Sequence, residues 1–266
     1  MLSPFRYPGG KNKYLPILMK YIEPILIGQD NFTDLFVGGG SVLLEVAKKY
    51  PNIKIYANDK NYWIYCFWKV ISDTDDTFFH KLMNLIEFAP TLIRFNDLRQ
   101  CSSLDEVKNA YKAIFFNRTT FSGILNSGPI GGKTQSSKYS INCRYNIKTL
   151  RKQLAECREL LVERTIVSNL NFADHLQLQT NNPIYLDPPY FKMGKYLYTE
   201  YMKNEEHLEL YNFLKNRKNW VLSYDDCDEI RSMYTNFNIV DMQGAYSIVG
   251  KKTTWNKKNE LIINNR

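Results

Sequence analysis

The feature that most restricts the fold of this chain is the run Asp34-Leu35-Phe36-Val37-Gly38-Gly39-Gly40, set between an apolar stretch from Asn31 to Phe36 and a helical pattern that begins at Ser41. Consecutive glycines after a strand permit a tight turn and let the backbone approach a ligand at the strand's C-terminal edge. Val42, Leu43, Val46 and Ala47 recur at helical spacing, and Ile53 to Ala57 reads as the next strand, closed by Asn58-Asp59. Strand, glycine turn, helix and strand within about 30 residues is the sequence form of a parallel crossover. The rhythm returns with strands at Arg164 to Ser168, Ile184 to Leu186 and Trp220 to Tyr224, and helices over Glu205 to Lys215 and Cys227 to Tyr234. Asn236 to Val240 and Leu261 to Asn264 are expected to complete the sheet as a terminal antiparallel pair. Near the start, after Gly9-Gly10, Lys11 to Leu26 has helical spacing interrupted by prolines.

Between Asn61 and about Leu161 the alternation gives way to helices and polar connections. The expected organisation is therefore an α/β core from residues 1–61 and 162–266, a Rossmann-like, mostly parallel sheet with an antiparallel terminal strand, carrying an inserted and mainly helical region over 62–161. At 266 residues and 44% hydrophobic content, one substantial core with one insertion is what the chain can bury.

The glycine turn does not complete the dinucleotide fingerprint, because Leu43 stands where its last glycine would fall, and this disfavours NAD. Asp59, about 20 residues on and at the end of the next strand, is placed to accept hydrogen bonds from a ribose diol. A diol grip without a pyrophosphate grip fits S-adenosyl-L-methionine. Gly128 to Thr134 ends like a phosphate-binding loop, but Ser127 occupies the position of its first glycine and no apolar strand leads into it, which disfavours an ATPase.

Asn182-Pro183-Ile184-Tyr185-Leu186-Asp187-Pro188-Pro189-Tyr190 carries the chemistry. The two prolines end the strand ladder and stiffen the turn, since each fixes φ and offers no N–H. Asp187, the Pro188 carbonyl and Tyr190 are thereby held at a rigid strand end. Two acceptors and a ring suit the grip of a planar base by its exocyclic amino group, the work of amino-methyltransferases; an ordinary turn after a strand is the alternative.

Thirty-five Lys and Arg against 27 Asp and Glu give a formal charge of +8, which favours a polyanionic partner, although solubility alone can account for it. Cys66, Cys101, Cys143, Cys157 and Cys227 are scattered and never paired as C-x-x-C, as expected of reduced thiols. His80, His175 and His207 lie at no ligand spacing, so no metal is expected. No secretion signal and no membrane span are apparent, and a cytoplasmic location follows, in a bacterial cell or a phage-infected host.

Taken together, these residues resemble the Dam-type DNA adenine N6-methyltransferase family over most of the chain. Tyr7-Pro8-Gly9-Gly10-Lys11 is similar to its N-terminal cofactor motif, Asp34 to Gly40 to its glycine-rich turn, Asn58-Asp59 to its ribose-binding acid and Asp187 to Tyr190 to its catalytic tetrapeptide. The resemblance implies S-adenosyl-L-methionine held by Tyr7, Gly9, Lys11, Asp34, Phe36, Gly38, Gly40, Asp59, Phe172 and Asp187, with Phe36 near the methionine end. It implies catalysis by Asp187, Pro188, Tyr190 and Lys11, on an adenine turned out of double-stranded DNA. Leu170-Asn171-Phe172 resembles the segment bordering the cofactor's adenine, where many relatives carry an aspartate in place of Asn171. A cognate restriction endonuclease is the partner protein such a resemblance brings with it.

The insertion would then read the target. Lys133, Lys138, Arg144, Lys148, Arg151, Lys152, Arg158 and Arg164 form a basic run suited to phosphates, or a solvated helix face in its Arg151 to Arg164 part. Asn117-Arg118-Thr119-Thr120-Phe121-Ser122-Gly123 resembles the family's hairpin start, which implies DNA contacts from Arg118, Phe121 and Ser122, with Phe121 wedged into the opened stack. Relatives that read G-A-T-C carry an arginine where this chain has Asn126, and asparagine matches adenine better than guanine, so a different recognition sequence is expected. Cytosine N4 methylation, RNA adenine methylation and a catalytically idle nucleic-acid-binding module are the rival readings. Asp225, Asp226, Asp228 and Glu229 are expected to cap a helix, His207 to lie on a helix surface, and Lys251, Lys252, Lys257 and Lys258 around Trp255 to touch phosphates or form a solvated hairpin.

Overall fold

The computed structural model describes residues 3–6, 10–178, 182–192, 201–242 and 260–265. Its elements follow in chain order: a 3-10 turn at Lys11–Lys13, α1 (Leu15–Leu26), β1 (Asn31–Asp34), α2 (Ser41–Lys49), β2 (Lys54–Asn58), α3 (Tyr62–Ser72), α4 (Asp76–Ile86), α5 (Leu92–Gln100), α6 (Glu106–Thr119), α7 (Ile147–Leu161), β3 (Thr165–Ser168), α8 (Phe172–Leu178), β4 (Ile184–Leu186), α9 (Asn204–Leu214), β5 (Trp220–Asp225), α10 (Asp228–Met233), β6 (Asn238–Met242) and β7 (Glu260–Asn264).

The strands form one seven-stranded sheet in the order β3-β2-β1-β4-β5-β7-β6. β1 to β5 run parallel, while β7 is antiparallel to β5 on one side and to β6 on the other. The last two strands thus pair as expected, but β7, last in sequence, sits inside the sheet rather than at its edge. This places its first residue, Glu260, beside Asp225 of β5. The chain order reverses at β1, which lies between β2 and β4, so the crevice outside the C-terminal ends of β1 and β4 is a topological switch point, where ligands bind in open α/β sheets.

Alternation along the strands separates two cores. Phe32, Tyr185, Val221 and Ile262 face the cluster that includes α1, α2 and the insertion helices, while Ile184, Leu186, Leu222 and Ile263 face the one formed with α8, α9 and α10. The first cluster runs without a break from Val46 and Ile55 to Trp68, Ile114, Phe116 and Leu154. Much of the segment 62–161 is therefore part of a core layer. Its longest irregular stretch among the described residues is 120–146, which holds a 3-10 turn at Phe121–Gly123 and no α-helix, is largely exposed and is anchored by buried Leu125, Ile141 and Tyr145. Pro16 sits in the first turn of α1, where no N–H is needed, and Pro24 in its last turn, so both are accommodated in a continuous helix.

Candidate active site

The glycine turn is built around an indole. Trp68 Nε1 donates to the Gly38 carbonyl at 2.9 Å, and a Cβ on Gly40, whose φ is +69°, would lie 2.3 Å from the Trp68 ring. Glycine is required there both for backbone conformation and for space. Asp59, at the end of β2, accepts from the Gly38 amide at 2.8 Å and from the Asn61 amide at 2.9 Å, one bond to each carboxylate oxygen. A carboxylate oxygen has two acceptor lone pairs, the chemistry that a diol grip calls on. Asn58 joins three strand ends: its amide donates to the carbonyls of Leu35 and Leu170, and its oxygen accepts from Ser168 Oγ and the Leu170 amide.

Gly38, Gly40, Asn58 and Asp59 line a cleft open to solvent, together with Lys11, Asp34, Phe36, Phe172, Asp187 and Pro189. The Phe36 and Phe172 rings lie 6.0 Å apart. Asn171 caps α8 by accepting from the Ala173 amide at 3.2 Å. Asp34 is buried beside Tyr185 in the sheet register, and its Oδ1 has no hydrogen-bond partner among the described residues. Burial first, and the nearby Asp187 second, hold the Asp34 carboxyl well above the usual carboxylate range.

The tetrapeptide Asp187-Pro188-Pro189-Tyr190 follows β4 directly. Lys11, only 2% exposed, donates from Nζ to Oδ1 and Oδ2 of Asp187, each at 2.7 Å, and to the Tyr190 hydroxyl at 2.9 Å. Glu260 Oε2 lies 3.5 Å from the same nitrogen. Burial pushes the Asp187 carboxyl up to about 6; the Lys11 ammonium opposes that rise and Glu260 adds to it. The turn after the tetrapeptide is held by Asp225, which accepts from the amides of Phe191 and Lys192 at 2.9 and 3.0 Å.

The Tyr190 ring is packed in the second core with its hydroxyl against Lys11, and Pro189 borders the cleft. Two expectations are corrected by this geometry. Asp225 belongs to β5 and secures the tetrapeptide turn instead of capping a helix, and Asp226 pairs with Arg231 at 2.6 Å. His207 is buried, sharing a hydrogen bond with the Tyr224 hydroxyl, because α9 turns that face toward β5. Among the described residues no group of three or more His, Cys, Asp or Glu side chains could hold a metal ion, and no helix is long and apolar enough to cross a membrane. Tyr7 and Gly9, and the lysines around Trp255, lie outside the described residues.

The hairpin motif divides in two. Asn117, fully buried, accepts from the Arg6 amide at 2.7 Å and donates to the carbonyls of Arg6 and Gly123. Arg118 points inward, donating to the Pro4 carbonyl and to Gln153 Oε1, and burial presses its guanidinium down to about 10. Its donors thus go to the N-terminal segment and to α7. Ser3 Oγ in turn donates to the Gly39 carbonyl, so that segment links hairpin and glycine turn. By contrast Phe121 is 68% exposed, and Ser122, Asn126, Lys133 and Arg144 are exposed on the 120–146 segment. Of the basic run, Arg158 is tied to Asp76 and the Ile71 carbonyl, and Arg164 to the carbonyls of Ala47, Tyr50, Pro51 and Leu160. Neither is phosphate-tracking nor a solvated face.

A mostly parallel sheet with a glycine turn, an acid at the next strand end and an acceptor-bearing tetrapeptide at its switch point is an arrangement that suits an amino-methyltransferase. The sequence profile of the D12 class N6 adenine-specific DNA methyltransferases matches residues 7–248, and the chain belongs to this family. It is similar to the type II methyltransferase M.MjaIII of Methanocaldococcus jannaschii, at 26% identity over 84% of this chain and 79% of that protein. It is also similar to the type II methyltransferase M.CviBI of Paramecium bursaria Chlorella virus NC1A, at 23% identity over 91% of this chain and 89% of that protein. The activity is accordingly adenine-specific DNA methylation, which sets aside the cytosine, RNA and idle-module readings.

Proposed function

We propose that the methyl donor is S-adenosyl-L-methionine and that Asp187, with the Pro188 carbonyl, grips the amino group of an adenine turned out of duplex DNA into the cleft. The observation that carries this reading is the Asp187 carboxylate, which borders the cleft and has both oxygens occupied by the N–H donors of Lys11. The cleft fits the donor: Asp59 for the ribose diol, the Gly38 and Gly40 turn for close backbone approach, Phe36 and Phe172 as apolar walls, and the unpartnered Asp34 Oδ1 as a buried polar atom at its lining. When bound, S-adenosyl-L-methionine supplies an electrophilic sulfonium methyl.

The residues then supply alignment and electrostatics. An adenine amino nitrogen is a weak nucleophile because its lone pair is delocalised into the ring. Two acceptors, Asp187 and the Pro188 carbonyl, favour a pyramidal nitrogen aimed at the methyl. Methyl transfer leaves an extra proton on nitrogen, and Asp187, titrating at about 6, is suited to receive it before it passes to water. Phe121 would wedge into the vacated stack, while Ser122, Asn126, Lys133 and Arg144 meet the duplex, Asn126 being suited to an adenine edge. The enzyme would act in the cytoplasm of a bacterial cell or a phage-infected host, with or without a cognate endonuclease.

The test is methyl transfer from labelled S-adenosyl-L-methionine to mixed-sequence duplex DNA, with single-molecule sequencing of the product and Asp187→Ala alongside. Modified adenines in one short motif, lost in the variant, are expected. Transfer that survives in the variant overturns the assignment of Asp187.

A further inference from the structure

The acceptors that the reaction asks of Asp187 are already in use, since both oxygens accept from Lys11 Nζ at 2.7 Å. An incoming amino group competes with a buried ammonium for those oxygens, and an ammonium that gives way needs another acceptor at the same depth. The Tyr190 hydroxyl, at 2.9 Å, is neutral. Glu260, the first residue of β7, is a second carboxylate within salt-bridge distance: its side chain is 7% exposed, its Oε2 is 3.5 Å from Lys11 Nζ, and that oxygen makes no hydrogen bond among the described residues. A shift of less than about 1 Å at the end of the flexible lysine stem would bring the pair to hydrogen-bond distance.

We propose that Glu260 is a positioning residue that receives the Lys11 ammonium when Asp187 is given over to the adenine amino group. The inference rests on the reading of Asp187 above. The ammonium stays protonated throughout and exchanges one carboxylate for the other. The titratable groups facing this exchange are Asp187 and Tyr190 after β4, Tyr185 on β4, Asp34 on β1 and Glu260 on β7. Neither the tetrapeptide nor the glycine turn points to Glu260 in sequence. It reaches the site because β7 lies antiparallel to β5, which puts its start, rather than its end, at the catalytic edge of the sheet.

The experiment is Glu260→Gln, near-isosteric and uncharged, assayed on the duplex target for kcat, KM and pH profile, with equilibrium binding of S-adenosylhomocysteine and thermal unfolding, and with Asp187→Asn in parallel. The expected result is a fall of about tenfold in kcat with S-adenosylhomocysteine affinity unchanged. The acid limb should also move to lower pH, because a negative neighbour that raises Asp187 has gone. A kcat and an acid limb at wild-type values overturn the proposal, including where the melting temperature drops, since a merely structural role moves only that. If Asp187→Asn retains transfer, the reading of Asp187 fails and this inference with it; if Asp187→Asn is inactive while Glu260→Gln is wild-type, only the role of Glu260 fails. Should Glu260→Gln not fold, Glu260→Asp keeps the charge but withdraws the carboxylate. A lowered kcat with the acid limb in place then supports the proposal, and a wild-type kcat overturns it.

Discussion

The cleft at the end of β1 and β4 and the irregular segment 120–146 are built on opposite principles. In and around the cleft the charged groups are engaged with protein partners: buried Lys11 with Asp187 and Glu260, part-buried Asp59 with two backbone amides, part-buried Asp225 with the tetrapeptide turn. In the surface segment Phe121, Asn126, Lys133 and Arg144 are exposed. Chemistry needs groups held in advance at fixed distances, because reorganisation during the reaction would add to the barrier. Reading a duplex needs long side chains that reach outward, with most of their energy coming from contacts the protein alone does not make. The inward-facing Asn117 and Arg118 lie between the two regions and join them through the N-terminal segment.

That comparison is most exposed to failure at Asp187. Replacing it with Asn should lower kcat by at least about 100-fold while leaving equilibrium binding of S-adenosylhomocysteine within a few-fold, since one preorganised group is worth that much in a desolvated site. A comparable loss of cofactor affinity would mean that the cleft is a single binding unit with no separate amino-group grip. The next effect is Gly40→Ala, which combines a left-handed φ with a Cβ inside the Trp68 ring. Destabilisation of about 2 kcal/mol or more is expected in chemical denaturation, whereas the same substitution at exposed Gly128, which has open space around it, should cost little.

On the surface segment, Phe121→Ala should lower kcat/KM by about tenfold without changing thermal stability. Lys133→Ala and Arg144→Ala should each weaken duplex binding across sequences and flatten the dependence of log K on log salt by about one. Arg118→Ala should do the reverse, lowering stability while leaving that salt slope unchanged. A changed slope would return Arg118 to the DNA-facing side of the comparison.

The smallest effect concerns pH. A carboxyl raised to about 6 in the folded state adds stability below the ordinary aspartate range, and that stability is lost as pH rises through about 6. Activity requires the ionised form and has the opposite dependence. Between pH 7.5 and 5 the enzyme should thus lose turnover while this group makes folding more favourable, and Asp187→Asn should flatten the stability change over that window. Urea melts of both proteins across it measure the difference.

The fold's alternation of strands and helices was legible because each element carries its own period and its own terminators. The tetrapeptide and the glycine turn were legible for the same reason: prolines and glycines act on the backbone within a few residues. His207 was misread because burial is a property of what packs on a residue, and here Phe191 and Tyr224 of the second core cover it. Arg158 and Arg164 were misread because a basic run shows its charges but not its partners; Asp76 and the Ala47 carbonyl lie far away in sequence.

By itself the sequence determined that this chain forms an α/β sheet with a glycine turn after β1, an acid at the end of β2 and a proline-stiffened tetrapeptide after β4, since those features depend on local backbone chemistry. Only the tertiary structure decided that Glu260 faces Lys11, that Asp225 holds the catalytic turn and that Asn117 and Arg118 bind the N-terminal segment. These are pairings between side chains and groups brought together by strand order and helix packing, and no local pattern encodes the partner of a buried charge.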